Sequence, residues 1–160
     1  MAQLTVTQFA KPILVGQRGT ARASDVTRAG PAAMDIGLGK AVAMEPGADF
    51  AIKLPDGSGV IIAGISYNDG STEYTLTNNA PDPYFPAGQP VPYVQRGSAG
   101  VVCETDVTAG TSPVYARFSA GTLGNWRTDD DDGTCLLVAN ARWLTSGTAG
   151  TPLELEINRP

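Results

Sequence analysis

Residues 153–158 read LELEIN, so that Leu153, Leu155 and Ile157 alternate with Glu154, Glu156 and Asn158. A two-residue period puts one set on each side of an extended chain, and this stretch is therefore a strand with one face buried and one in water. Working outward, short strand-like runs recur. VIIAGIS (60–66) is continuously apolar, as expected of a strand covered on both faces. KAVAM (40–44) and FAIKL (50–54) flank the turn EPGAD. PDGSG (55–59) is a second tight turn, because Pro presets φ and Gly tolerates positive φ.

Further along, YNDGST (67–72) is a turn and TEYTLT (72–77) a strand. The connection NNAPDPYFPAGQP (78–90) is rich in Pro, and Pro81, Pro83, Pro86 and Pro90 exclude a central strand there. VPYVQRG (91–97), AGVVCETDV (99–107) and VYARFSA (114–120) read as successive strands, with TAGTSP (108–113) as a turn. GTLGNWRTDDDDGT (121–134) is a long loop or bulged hairpin before TCLLVANARWL (134–144), the longest apolar run. Residues 1–39 are the least regular. LTVTQF (4–9) alternates briefly and PILV (12–15) suggests an edge strand, whereas residues 17–39 lack the 3.6-residue period of a helix and read as extended arm and loop.

The 19 Gly and 12 Pro thus punctuate strands about every 8–12 residues, with no convincing helix. The expectation is a single all-β domain over 40–160, jelly-roll or β-sandwich-like, preceded by an extended N-terminal arm over 1–39. A chain of 160 residues is the size of one domain, and 42% apolar with 17% charged residues is a globular composition.

The net charge of −5 argues against nucleic-acid binding, which needs a dense basic patch. Charge is unevenly placed. Residues 1–30 carry Lys11, Arg18, Arg22 and Arg28 against Asp25 alone, while the rest of the chain has 7 basic and 15 acidic groups. Ordinary surface charge is the simpler reading of this segment, and an arm docking on an acidic partner is the functional one. No apolar run is long enough for a membrane helix, and MAQLTVTQFAKP lacks the basic and apolar regions of a signal peptide. Cys103 and Cys135 are expected to be two buried thiols in a reducing cytosol, with a disulfide between neighbouring strands as the alternative.

Candidate chemistry is sparse. The chain has no histidine, the usual acid/base group near neutral pH. Glu154 and Glu156 lie roughly 7 Å apart on one strand face, within the range of an inverting glycosidase pair, but alternate charges are also the solvent face of a half-covered sheet. Asp129 to Asp132 followed by Gly133 invites a calcium loop. Aligned to an EF-hand, however, Thr128 falls at the first ligand and Ala139 where the bidentate Glu belongs, so a solvated acidic loop is the better reading. GLGK (37–40) and DGSG (56–59) miss the spacing of phosphate loops, and no Ser has a His partner. Lys40 and Lys53 carry no cue for a nucleophile. No catalytic, cofactor-binding or metal residue is assigned, and the chain is expected not to be an enzyme.

From about Lys40 onward the order of elements resembles a known family. GLGKAVAMEPG, GVIIAGISYNDG, YFPAGQPVPYVQRGSAGVVCETDVTAGTSPVYARF and ARWLTSGTAGTPLELEIN together resemble the cement (decoration) proteins of tailed-phage capsids. The most telling part is the AGQPVPYVQRG hairpin, the Val-rich strand and VTAGTSPVYARF. The resemblance implies a jelly-roll-like domain that binds the outer surface of the assembled head and staples neighbouring major capsid proteins. It also implies a homo-oligomer, dimer or trimer, on the virion, assembled in the host cytoplasm. Cement needs no cofactor, nucleic acid or membrane. Candidate capsid contacts are Lys11, Arg18, Arg22 and Arg28 in the arm, with Tyr84 and Phe85 as aromatic anchors. The rivals are a carbohydrate- or receptor-binding β module of a phage virion, which clustered exposed aromatics would serve, and a glycoside hydrolase built on Glu154 and Glu156.

Overall fold

One long strand carries the architecture of the computed structural model, which describes residues 13–19, 23–48, 50–69, 84–119 and 121–158. This strand, β7 (Pro90–Val102), is 13 residues long. Earlier in the chain come β1 (Val26–Pro31), β2 (Ile36–Gly37), β3 (Ala41–Met44), β4 (Ile52–Lys53), β5 (Ile62–Ser66) and β6 (Tyr84–Phe85). It is followed by β8 (Tyr115–Arg117), β9 (Trp126–Arg127), β10 (Cys135–Leu137), β11 (Ala141–Trp143) and β12 (Pro152–Asn158). The described residues contain no helix. The fold is all-β, as the punctuation by Gly and Pro predicts.

The main sheet has seven strands in the order β11-β12-β7-β5-β3-β4, with β1 also paired to β7. Every named pairing is antiparallel. Strand β12 follows β7 from Pro152↔Val102 to Asn158↔Arg96, and β1 follows it from Val26↔Arg96 to Pro31↔Pro90. Val94 pairs with both Thr27 and Ile65. Two small sheets, β10-β8-β9 and β2-β6, complete the structure.

The expected separate strands VPYVQRG and AGVVCETDV are in fact one. Continuous pairing with β12 from Arg96 to Val102 joins them, and the first half carries a β-bulge. Thr27 pairs with Val94 and Val26 with Arg96, so Gln95 has no opposite number. An extra residue inverts the alternation of side chains beyond it. Val91 and Tyr93 accordingly enter one core, whereas Ala99 and Val101, also odd-numbered but beyond the bulge, enter the other. The prolines obey backbone chemistry in a way the sequence expectation understated. Pro90 is the first residue of β7, where no ladder donor is needed, and β6 occupies the two positions just before Pro86.

The larger core lies between the main sheet and the three-stranded sheet. Leu153, Leu155 and Ile157 of β12 are at most 3% exposed and pack with Ala116, Trp126 and Val138. LELEIN thus has the predicted buried and wet faces, and VIIAGIS yields β5, buried throughout. Both indoles find acceptors, as buried Trp usually does: Trp126 donates to the Gly39 carbonyl (2.8 Å) and Trp143 to that of Pro113 (3.1 Å). The smaller core joins Val42, Ile52, Ala63, Val91 and Tyr93 to Ile36 and Phe85 of the two-stranded sheet.

Part of the stretch expected as arm and loop is built into the main sheet. Val26 to Pro31 form β1 of that sheet, while Ile36 and Gly37 form β2 of the two-stranded sheet. The segment 13–19 also runs against β7. Gly16 N–H donates to Gly100 (2.8 Å), Gly100 N–H to Gln17 (2.7 Å) and Gly19 N–H to Ser98 (2.8 Å). The pairing seen at Arg18↔Ala99 resumes at Val26↔Arg96. The alternating run LTVTQF and the expected strand TEYTLT lie outside the described residues.

Gly100 permits this close approach, because a Cβ added there would sit 1.9 Å from the Leu14 carbonyl oxygen. Gly100→Ala should therefore cost about 1–3 kcal/mol and free the 13–19 segment. Thermal melting should show the loss, and limited proteolysis should cut near residues 13–19 faster than in the wild type.

Candidate docking surfaces

The end of the molecule formed by β8, β9 and the 128–134 loop is organised around one carboxylate. Glu104 follows the buried Cys103, and its backbone N–H donates to the Trp126 carbonyl (2.9 Å). Its Oε2 accepts from Arg117 Nη2 (2.7 Å) and Nε (3.2 Å) and from Arg127 Nη1 (3.1 Å), while Oε1 accepts from Asn125 (2.6 Å). Arg117 also bridges Asp131 (2.8 Å), and Arg127 bridges Asp129 (2.7 Å) and Asp131 (3.1 Å). Arg117 is only 6% exposed, so its charge depends on these partners.

Burial raises the Glu104 pKa, but hydrogen bonds from Arg117, Asn125 and Arg127 outweigh it and hold the carboxyl below its ordinary value. Asp131 is lowered first by its hydrogen bond to Arg117. Arg127 is raised, chiefly by Asp129. The run Asp129–Asp132 is therefore divided. Asp131 turns inward to the arginines, while Asp129, Asp130 and Asp132 are exposed. Asp131, Asp132 and Gly133 all have positive φ (46°, 55° and 79°), a conformation that Asp and Gly tolerate best. Among the described residues, no group of three or more His, Cys, Asp or Glu side chains could hold a metal.

The carboxylates of Glu154 and Glu156 are held by different partners. Glu154 accepts from the Ser98 hydroxyl (2.6 Å), and Glu156 is bound to Arg142. Cys103 and Cys135 are both buried free thiols, their pKa values pushed up by burial.

The sequence-predicted contacts are dispersed. Lys11 and Arg22 lie outside the described residues. Arg18 bridges Asp25 (3.2 Å), whose side chain is 3% exposed, so this arginine serves the sheet edge as well as the surface. Arg28 is exposed on β1 and donates to Gln95, the bulge residue. Tyr84 is half-buried. Phe85 corrects the expectation of an aromatic anchor: it is fully buried in the smaller core, paired with Ile36, and has no surface to offer. The exposed large apolar side chains are instead Leu14, Met34, Phe50, Ile61 and Leu137. Ile61 and Leu137 line an apolar groove with Val60, Leu136 and Val138. Strand patterning does not find such residues, since Phe50 and Ile61 sit at the starts of apolar runs and read as core.

The described residues form an all-β scaffold with apolar side chains and paired charges on its surface. Its fold is shared with a chain in the structure "The capsid of Myoviridae Phage XM1", with a TM-score of 0.70 and 18% identity over 98% of this chain and 97% of that one. Residues 2–158 match the family described as structural cement protein (E217 gp24/Pam3 gp6), and the chain belongs to that family. Its role is that of a cement protein of the phage capsid. No curated protein sequence matches it significantly.

The pairing of Glu104 makes stability depend on pH. A carboxyl lowered in the folded state stabilises above its unfolded value of about 4.3 and loses that contribution as the pH falls through the folded value. Melting temperature should drop on acidification below about pH 4.3. Glu104→Gln should lower stability at pH 7 by about 2 kcal/mol, roughly 4–8 °C in Tm, and should flatten the acid limb of the curve.

Proposed function

We propose that the chain binds the outer face of the assembled phage head as a homo-oligomer and bridges neighbouring major capsid proteins, without catalysing a reaction. The observation that carries this reading is the family match over residues 2–158, nearly the whole chain. A cement acts by mass action: it adds binding energy only to the assembled lattice and so stabilises that state. Modest contacts repeated over a symmetric shell gain further from multivalency. The rigid two-core scaffold and its exposed apolar side chains suit that task.

Residues 1–39 act in this reading as a docking arm for the 40–160 domain, tied down by β1 and by the 13–19 segment. Lys11, Arg22 and Arg28 supply its basic contacts, and Tyr84 is a further contact. Arg18 contributes less, because it is paired with Asp25.

Co-sedimentation with undecorated, expanded heads tests the proposal. Saturable pelleting at a fixed ratio to the shell protein is expected, whereas no binding to competent shells would transfer the role to a receptor-binding module. Arg28→Glu should weaken binding about threefold to tenfold, mainly through slower association, and leave the melting temperature unchanged. Unchanged binding would remove Arg28 from the contact surface.

A further inference from the structure

Phe50 combines a strained backbone with an exposed ring. Its φ of +59° lies in the left-handed region, which bulky side chains rarely enter because Cβ crowds the backbone carbonyl. The residue is 71% exposed, so burial of the ring within the described chain does not offset that strain. Packing of the main chain enforces the conformation. The Phe50 carbonyl oxygen lies over Gly30, where an added Cβ would meet it at 2.2 Å. Next to it, the β3–β4 hairpin is closed by Glu45 N–H donating to Ala51 (2.8 Å), and Ala33 N–H donates to Ile52 (2.8 Å). The ring is thus presented on a fixed stalk.

The charge around this stalk identifies the complement. Residues 45–56 carry Glu45, Asp49 and Asp56 against Lys53. Lys53 is already bonded to Glu45 (3.1 Å) and Asp56 (2.8 Å), which leaves the hairpin with a negative surplus. An exposed aromatic on a constrained backbone loses little main-chain freedom on binding, which favours a strong anchor.

We propose that Phe50 is a preset anchor that inserts into an apolar socket with a basic rim on the major capsid protein. The proposal rests on the cement reading and names the contact through which that binding occurs.

The test compares the full-length wild type, Phe50→Ala and Phe50→Gly for binding to undecorated, expanded heads, with the melting temperature of each free protein. Both variants should bind about 30-fold more weakly. Phe50→Gly should also melt about 2 °C higher than the wild type, since glycine relieves the left-handed strain. Wild-type affinity in either variant overturns the anchor and leaves the cement reading intact. Failure of the wild type itself to bind overturns the cement reading and this proposal with it.

Discussion

Between Val94 and Arg96, strand β7 takes in one residue more than its partner β1, and the side chains beyond that point change sides. This shift lets a single strand supply both cores. Val91 and Tyr93 face the two-stranded sheet, while Ala99 and Val101 face the three-stranded sheet and β12. Without the extra residue, one half of β7 would turn its apolar set toward the wrong layer. The neighbours of β7 depend on it in turn, since β1, β5 and β12 all take their register from this strand. The bulge also reaches the surface through Gln95, which accepts from Arg28.

The charged groups follow a related economy. Arg117 is nearly buried and is matched by Glu104 and Asp131, so the three-stranded sheet gains a polar clamp next to its apolar face. Removing one member would leave a charge with little water to solvate it, the costly case for an ion pair. The same clamp fixes the base of the acidic loop and leaves Asp129, Asp130 and Asp132 turned to solvent.

The all-β class was legible, and so were the strands with strong patterns. LELEIN and VIIAGIS became β12 and β5 because hydrophobic period and burial agree there. The length of β7 was hidden, because Pro and Gly were read as punctuation while the backbone accommodates them inside a bulged strand. Strand β1 was invisible for a different reason. VTRAGP has mostly exposed side chains and is held by main-chain pairing, which leaves no apolar signature. Long-range partners were equally out of reach: Glu104, Arg117 and Arg127 meet across 13 and 23 residues with no periodic cue. Phe85 misled because its Pro-rich setting suggested exposure, whereas its ring packs into the smaller core.

The state of the titratable side chains has a wider consequence. The chain has no histidine. Its two thiols are pushed upward by burial, while Glu104 and Asp131 are pulled downward by arginines. Such an arrangement moves these four groups away from neutrality, the thiols upward and the carboxyls downward, so none of them changes charge near pH 7. The clamp of Glu104 and Asp131 on Arg117 therefore keeps its charges near neutral pH, and the acidic loop it positions is presented to a partner in one arrangement.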